Sequence, residues 1–276
     1  MRAIKHGKSV FLLIMSCFVF EIFATTNEKP IVVIIPSYNN EQWCKRNLES
    51  VFLQDYENYR VIYIDDCSSD HTYPLVQYLI QEFRQEHRVT LIHNVTRKGA
   101  MENLYNAIHP CPDDAIVATL DGDDFLAGPH VLKRINQAYQ NPNVWLTYGQ
   151  FMMWPGGQLG WCTPLRESMV SNNAYREETD LLVSHLRTFY AWLFKLIKRE
   201  DFIFNGSFFT MAWDKAMLIP MLEMAYGKFQ FIPDVLYLYN VSNPINDHKV
   251  SAQLQNYLYQ IIRQKPKYKP YHRMIV

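Results

Sequence analysis

Charge of either sign is not in excess in this chain: among 276 residues, Lys and Arg number 27, Asp and Glu number 27, and the formal net charge is zero. A nucleic-acid partner that relies on a global positive field is therefore excluded. The five cysteines, at 17, 44, 67, 111 and 162, form no CxxC pair or other metal-ligand spacing. Internal repeats and low-complexity segments are also missing. What the chain does have is apolar content of 49%, with 14% aromatic residues, enough to bury a full core in one α/β-sized domain or at most two small ones. Disorder is excluded on that ground.

The two ends differ from the middle. Arg2, Lys5 and Lys8 precede the apolar run Val10-Phe11-Leu12-Leu13-Ile14-Met15, and small residues follow at Ala24-Thr25-Thr26. Residues 1–29 are expected to be a secretory signal peptide or signal anchor, with a buried N-terminal helix as the alternative; Glu21 is awkward for an apolar core of either kind. That implies the lumen of a secretory pathway or a cell envelope rather than the cytoplasm, and membrane association through the N-terminus. If Cys17 leaves with the leader, four cysteines remain, and sequence cannot pair them. Asn94-Val95-Thr96, Asn205-Gly206-Ser207 and Asn240-Val241-Ser242 are glycosylation sequons, meaningful in a eukaryotic secretory compartment. Residues 241–276 are expected to be an extension whose basic tail, from Arg263 to Arg273, is a solvated and frayed end; contact with a membrane surface or phosphate is the second reading.

Between the ends, apolar β-branched runs alternate with helical periodicity. Ile31-Val32-Val33-Ile34-Ile35 stops at Pro36-Ser37-Tyr38-Asn39-Asn40, as a parallel strand buried on both faces does. A helix follows to about residue 54, then a strand over 59–64 ending in Asp65-Asp66-Cys67-Ser68-Ser69-Asp70. Asp70 is a good N-cap for the next helix. Further strands are predicted at 89–92 and 115–120, with a helix at 100–108 between them. This order implies right-handed crossovers and a mostly parallel sheet with helices on both faces.

Three carboxylates crowd the end of the 115–120 strand, in Leu120-Asp121-Gly122-Asp123-Asp124. Such charges resist burial together and suit a hard divalent cation, Mg²⁺ or Mn²⁺, completed by water and phosphate oxygens. An acidic turn capping a helix is the plainer reading of those five residues alone. The sheet topology favours a site, because residues 36–40, 65–70, 97–99 and 121–124 all fall on the carboxyl edge, where open parallel sheets bind ligands.

Downstream, Gly128-Pro129 opens a helix and 144–149 reads as a strand. Residues 152–171, with Pro155, Gly156, Gly157, Gly160 and Pro164, read as a long loop of the kind that is often functional. Residues 184–197 read as an aromatic-rich helix, residues 208–225 as the approach to another, and 229–239 as a final strand. Glu177-Glu178 is expected to stabilise a helix start.

Taken in order, Val33-Ile34-Ile35-Pro36-Ser37-Tyr38-Asn39, Ile64-Asp65-Asp66-Cys67-Ser68-Ser69-Asp70 and Leu120-Asp121-Gly122-Asp123-Asp124 resemble the family 2 glycosyltransferases of the GT-A fold. The similarity covers residues 30–240. It implies a Rossmann-like nucleotide-binding half plus an acceptor-side half, and inverting transfer of a sugar from a nucleotide-sugar donor, UDP-sugar favoured, to a glycan, protein or lipid acceptor. By that resemblance Pro36, Ser37 and Tyr38 border the base and ribose, Asp66 hydrogen-bonds the base, and Lys98 with nearby Arg97 lies by the pocket. Asp121 and Asp123 match the DXD element that holds Mn²⁺ or Mg²⁺ against the diphosphate, with Asp124 able to share that work. Asp214, in Ala212-Trp213-Asp214-Lys215, matches the base that takes the acceptor proton; Asp180 and Asp201 are the other candidates, and an ordinary N-cap is the structural alternative. His185 and Arg187 lie where diphosphate or acceptor contacts occur in related sequences, or in plain packing. Trp161, Trp192 and Trp213 could form a sugar platform or core. Residues 243–248 could form a lid over the site. An aspartyl phosphatase is rejected because the acidic strand is fourth and residue 125 is Phe, and an EF-hand because Phe125 replaces an oxygen ligand. The remaining rival is a non-catalytic nucleotide- or glycan-binding protein of the same fold.

Overall fold

Val32 and Ile34 point to one side of the first strand, Ile31, Val33 and Ile35 to the other, and both sides are buried. A run with no polar face can be satisfied only between two layers of helix. The computed structural model describes residues 28–178, 181–245 and 247–272. Residues 1–27 of the expected leader, Cys17 among them, and Asp180, Asn246 and Arg273 lie outside the described residues.

In chain order the elements are β1 (Ile31–Ser37), α1 (Cys44–Phe52), β2 (Tyr59–Asp65), α2 (Thr72–Glu82), β3 (Val89–His93), α3 (Ala100–Ile108), β4 (Ile116–Thr119), β5 (Phe125–Leu126), α4 (Val131–Tyr139), β6 (Leu146–Trp154) and α5 (Glu167–Ser171). Then come β7 (Arg187–Tyr190), α6 (Ala191–Lys195), a 3₁₀ turn (Arg199–Phe202), the hairpin β8 (Ile203–Phe204) and β9 (Ser207–Phe208), α7 (Trp213–Ala225), β10 (Phe229–Asn240) and α8 (Asp247–Gln264). The main sheet has the order β3-β2-β1-β4-β7-β6-β10-β5. Strands β1 to β4 pair in parallel, β7 is antiparallel to both neighbours, β6 and β10 are parallel, and β5 is antiparallel to β10. The mostly parallel α/β expectation holds. Helices α1, α2 and α4 cover one face, and α3, α6 and α7 cover the other.

The order reverses between β1 and β4, since β2 and β3 lie on one side of β1 and β4 on the other. The carboxyl ends of those two strands are where open parallel sheets bind ligands, and their loops meet there, the Gly122 N–H donating to the Pro36 carbonyl at 3.2 Å. The four polar turns at 36–40, 65–70, 97–99 and 121–124 follow β1, β2, β3 and β4 respectively.

Three expectations are corrected. Residues 184–197 are not one helix: Arg187–Tyr190 is a strand between β4 and β6, and only Ala191–Lys195 is helical. The vacancy between two paired strands overrode the aromatic periodicity. The 152–171 loop begins as strand, because β6 runs to Trp154 and folds back so that Leu159 pairs with Met152. Glu177 and Glu178 start no helix; they pair with Lys267 and Arg166.

The basic tail is not frayed either. Helix α8 puts Leu258 and Ile262 into the core shared with α7. Beyond it, Lys265 Nζ donates to the Glu200 carbonyl at 2.9 Å and Lys267 Nζ to the Asn173 carbonyl at 2.6 Å. Beneath the tail lies a buried ion pair. Arg176 Nε and Nη2 donate to the two oxygens of Glu223 at 2.6 and 2.9 Å, its Nη1 donates to the Ile262 carbonyl, and the Tyr268 N–H completes Glu223. Burial pushes the Glu223 carboxyl up, and Arg176 opposes that shift.

Cys44, Cys67, Cys111 and Cys162 are free thiols. Of the sequons, Asn94 and Asn240 are buried and hydrogen-bonded, while Asn205 is exposed on the β8–β9 turn.

Removing one partner of a buried pair strands the other charge, so Arg176→Met should cost about 3–5 kcal/mol in urea unfolding. Arg176→Met with Glu223→Leu should recover most of that loss. If the single substitution is neutral, the pair does not hold the tail.

Candidate active site

The turn after β4 is held from two sides, by α1 and the β1 turn and by β10. Asn47 of α1 donates from Nδ2 to the Asp121 carbonyl at 3.0 Å and the Asp124 carbonyl at 2.7 Å. Gly122 packs against the β1 turn: a Cβ there would stand 2.6 Å from Ser37 Oγ and 2.8 Å from Asn40 Nδ2. Only hydrogen fits. Ser37 itself is buried, its hydroxyl accepting from Tyr63 Oη at 2.8 Å and Asn40 Nδ2 at 3.0 Å. Its hydroxyl thus supports the floor of the site, whereas half-buried Pro36 and Tyr38 lie at the rim.

From the other side β10 grips the same turn. Tyr237 Oη donates to Asp124 Oδ2 at 2.6 Å and accepts from the Asp121 N–H at 3.2 Å. The Asn240 N–H donates to Asp124 Oδ1 at 2.6 Å, its Nδ2 to the Asp123 carbonyl, and Asn243 Nδ2 to Asp123 Oδ2 at 2.7 Å. Burial, with Asp123 and Asp121 nearby, pushes the Asp124 carboxyl well up, and the donors from Asn240 and Tyr237 oppose this. Two irregularities in the β10–β6 register, on either side of Val235, bring Tyr237 opposite Phe151.

Strand β7 delivers the cation. Its antiparallel register pairs Arg187 with Thr119, so the side chain arrives beside the carboxyl end of β4. The guanidinium, 2% exposed, lies between two carboxylates: Nη2 is 3.5 Å from Asp121 Oδ2 and Nη1 is 3.5 Å from Asp214 Oδ2. Nη2 also donates to His185 Nδ1 at 2.9 Å, and the group lies over the Trp213 ring at 5.0 Å. His185 is buried and stacked on Tyr237 at 4.2 Å. Burial, reinforced by Arg187 and Lys215, holds its pKa well below the usual imidazole value. The ring is therefore neutral and accepts from the arginine. Asp121 is pushed up by burial and by Asp214, with Arg187 opposing.

Asp214 is the second residue of α7, where the helix dipole favours a carboxylate. The N-cap position is Ala212, so Asp214, two residues further on, is not the capping residue. Its neighbour Lys215, half-buried and lowered in pKa mainly by desolvation, donates to the Leu181 and Val183 carbonyls at 3.0 Å. Asp201 is bound to Tyr268 Oη and Lys265 at the tail instead. Trp192 and Trp213 are buried, with Trp192 packed on Trp145; Trp161 is half exposed against Phe151.

Asp66 ties two of the four rim loops together. Its Oδ1 accepts from Asn94 Nδ2 and the Lys98 N–H, both at 2.9 Å, and its Oδ2 from the Gly99 N–H at 2.8 Å. Burial opposes ionisation, yet these donors and the Asn103 amide hold the carboxyl below its ordinary value. The Lys98 side chain is exposed, and the Arg97 guanidinium lies 3.7 Å over the Tyr38 ring.

Asp121, Asp124 and His185 bring one ligand atom each within 4.8 Å of one another. His185 Nδ1 and both Asp124 oxygens already accept hydrogen bonds, as described above. Asp123 Oδ2 likewise accepts from Asn243, so the acidic turn as a whole, Asp121, Asp123 and Asp124 beside His185, offers donors of the kind a divalent ion takes, with further positions suited to water and phosphate.

Sequence reasoning missed Tyr237, Asn240, Asn47 and Lys215. Tyr237 and Asn240 had one signal, their place on the last strand of the resemblance.

Because Asp66 has a lower pKa folded than unfolded, its clip contributes fully above the unfolded value of about 4 and is lost as pH falls through the folded one. Asp66→Asn should flatten the dependence of unfolding free energy on pH below about pH 4, read by chemical denaturation across that range. An unchanged slope would show that the clip is not formed.

Residues 32–204 match the profile described as Glycosyl transferase family 2. An uncharacterized glycosyltransferase of Haemophilus influenzae is 28% identical over 184 residues, covering 63% of this chain and 69% of the relative. The UDP-Glc:alpha-D-GlcNAc-diphosphoundecaprenol beta-1,3-glucosyltransferase WfgD of Escherichia coli is 30% identical over 121 residues, 44% of this chain and 45% of the relative, so the chain spans less than half of that protein. S. aureus TarS 1-349 in complex with UDP superposes with a TM-score of 0.55 at 19% identity, covering 78% of this chain and 61% of TarS 1-349. Mannosyltransferase PcManGT from Pyrobaculum calidifontis, in complex with GDP-Man and Mn²⁺, gives 0.54 at 18%, covering 88% and 67%. At such identities the structural likeness speaks for the fold alone, which is GT-A. With more than half of its length matched by the family profile and that fold beneath the match, the chain belongs to glycosyl transferase family 2.

Proposed function

We propose that the protein transfers a sugar from a nucleotide-sugar donor to an acceptor hydroxyl with inversion, and that UDP is the favoured nucleotide. The observation that carries this is the pair of carboxylates, Asp121 and Asp214, on opposite sides of one buried guanidinium. One comes from the carboxyl edge of the nucleotide-binding half, the other from the start of α7.

Pro36 and Tyr38 border the base and ribose, Asp66 and the loop it clips at Lys98 lie beside them, and the diphosphate reaches toward Asp121 and Asp123. Asp121 and Asp123 would hold Mn²⁺ or Mg²⁺, which would supply positive charge against the negative charge that develops on the diphosphate. The acceptor oxygen attacks the anomeric carbon from the opposite face. Its proton passes to Asp214, a new carbon–oxygen bond forms, and the bond to the diphosphate breaks with its electron pair leaving on phosphate oxygen. Arg187, held by the neutral His185, supplies fixed positive charge between the two carboxylates.

UDP is favoured because the E. coli relative is named for UDP-Glc and structural neighbours were solved with UDP and UDP-GlcNAc. GDP is the competitor, through the neighbour bound to GDP-Man. The acceptor is a glycan, protein or lipid; the E. coli relative's name specifies a diphosphoundecaprenol-linked sugar.

Titrating UDP, GDP and CMP with and without Mn²⁺ tests the donor side. One nucleotide should bind with clear metal dependence, and Asp123→Ala should abolish that dependence; no binding under any condition refutes the assignment. Asp214→Asn should lower turnover by about 10²–10⁴ while leaving nucleotide affinity nearly unchanged. Undiminished turnover in that variant would move the base elsewhere, and tight binding without any turnover in the wild type would favour a binding protein.

A further inference from the structure

The contacts of Arg187 are uneven in a way that charge alone does not require. Charge-assisted hydrogen bonds to carboxylate close to about 2.7–2.9 Å, yet both Asp121 and Asp214 stand 3.5 Å away. The one short contact, at 2.9 Å, goes to the neutral ring of His185. The guanidinium is thus fixed by an uncharged partner and an aromatic face, and balanced between two anions without closing on either. Its Nε–H, fully buried, has no hydrogen-bond partner among the described residues. Lys215, on the far side of Asp214 at 3.9 Å, is tied to the carbonyls of Leu181 and Val183.

We infer that Arg187 is a positioning residue that competes with the divalent cation for Asp121, so that occupancy of the metal position transfers the guanidinium's attraction to Asp214. This rests on the reading of Asp121 and Asp123 as metal ligands. A dication beside Asp121 repels a guanidinium a few ångströms away, and the other carboxylate that forms an ion pair with that group among the described residues is Asp214. Nη2 need not release His185 for the shift, because the contact it gives up is the long one. Loading of the donor side is thereby linked to the position of the acceptor-side carboxylate, and by thermodynamic reciprocity changes at Asp214 must alter metal affinity.

The test is a double-mutant cycle on the full chain without nucleotide, reading Mn²⁺ affinity from the free-ion electron paramagnetic resonance signal. Arg187→Gln should bind Mn²⁺ about tenfold tighter than the wild type, since a competing cation is gone. Asp214→Asn should bind about fivefold weaker, because the guanidinium loses its outer partner and settles on Asp121. In the Arg187→Gln background the same Asp214→Asn change should shift affinity by less than about twofold. Equal effects in both backgrounds mean that Asp214 acts by distance-dependent charge alone and overturn the inference. Equal affinity in Arg187→Gln and wild type overturns it as well, while leaving the metal reading intact. Should Arg187→Gln not fold, unchanged or tighter binding in Asp214→Asn is enough to overturn it. Failure of every variant, wild type included, to bind Mn²⁺ removes the metal reading and this inference together.

Discussion

A turn that carries three adjacent carboxylates has every electrostatic reason to open, and the architecture depends on its not doing so. Asp124 is the restraint. Its carboxylate is buried and held by the Tyr237 hydroxyl and the Asn240 N–H, while Asn47 holds the carbonyls from the opposite layer. Asp121 and Asp123 are left nearer the surface because the third acid is spent on fastening the turn to β10. Since β10 pairs with β6 and β5, the same bonds join the first half of the sheet to the second.

The first half was legible because it obeys local rules. Residues 31–35, 59–64, 89–92 and 115–120 are short β-branched runs between helical segments, and a parallel sheet follows from that alternation. That alternation alone puts its acidic turns on one edge. The second half resisted because its strands take their conformation from neighbours. Residues 187–190 are a strand only because β4 and β6 both offer unpaired edges, and Phe125–Leu126 is too short to carry a period.

The site divides the same way. Asp66, Asp121, Asp123 and Asp214 were recognisable by resemblance, and Arg187 and His185 were named as contacts. What sequence did not disclose was their relation: His185 faces the arginine, and Ser37 faces Gly122. Such roles depend on which neighbour fills the space, and a string of residue types does not record that. Tyr237 and Asn240 act on residues more than a hundred positions away, and no local pattern marks them.

Helix α7 joins two regions described separately. Asp214 stands in its first turn, and Glu223, locked to Arg176 and to the backbone of Tyr268, stands in its last. Thirteen residues of helix make a rod about 20 Å long. The tail's anchorage and the Asp214 carboxylate therefore sit at opposite ends of one helix. A perturbation that lets the tail loosen would be transmitted along that helix to the carboxylate beside Arg187.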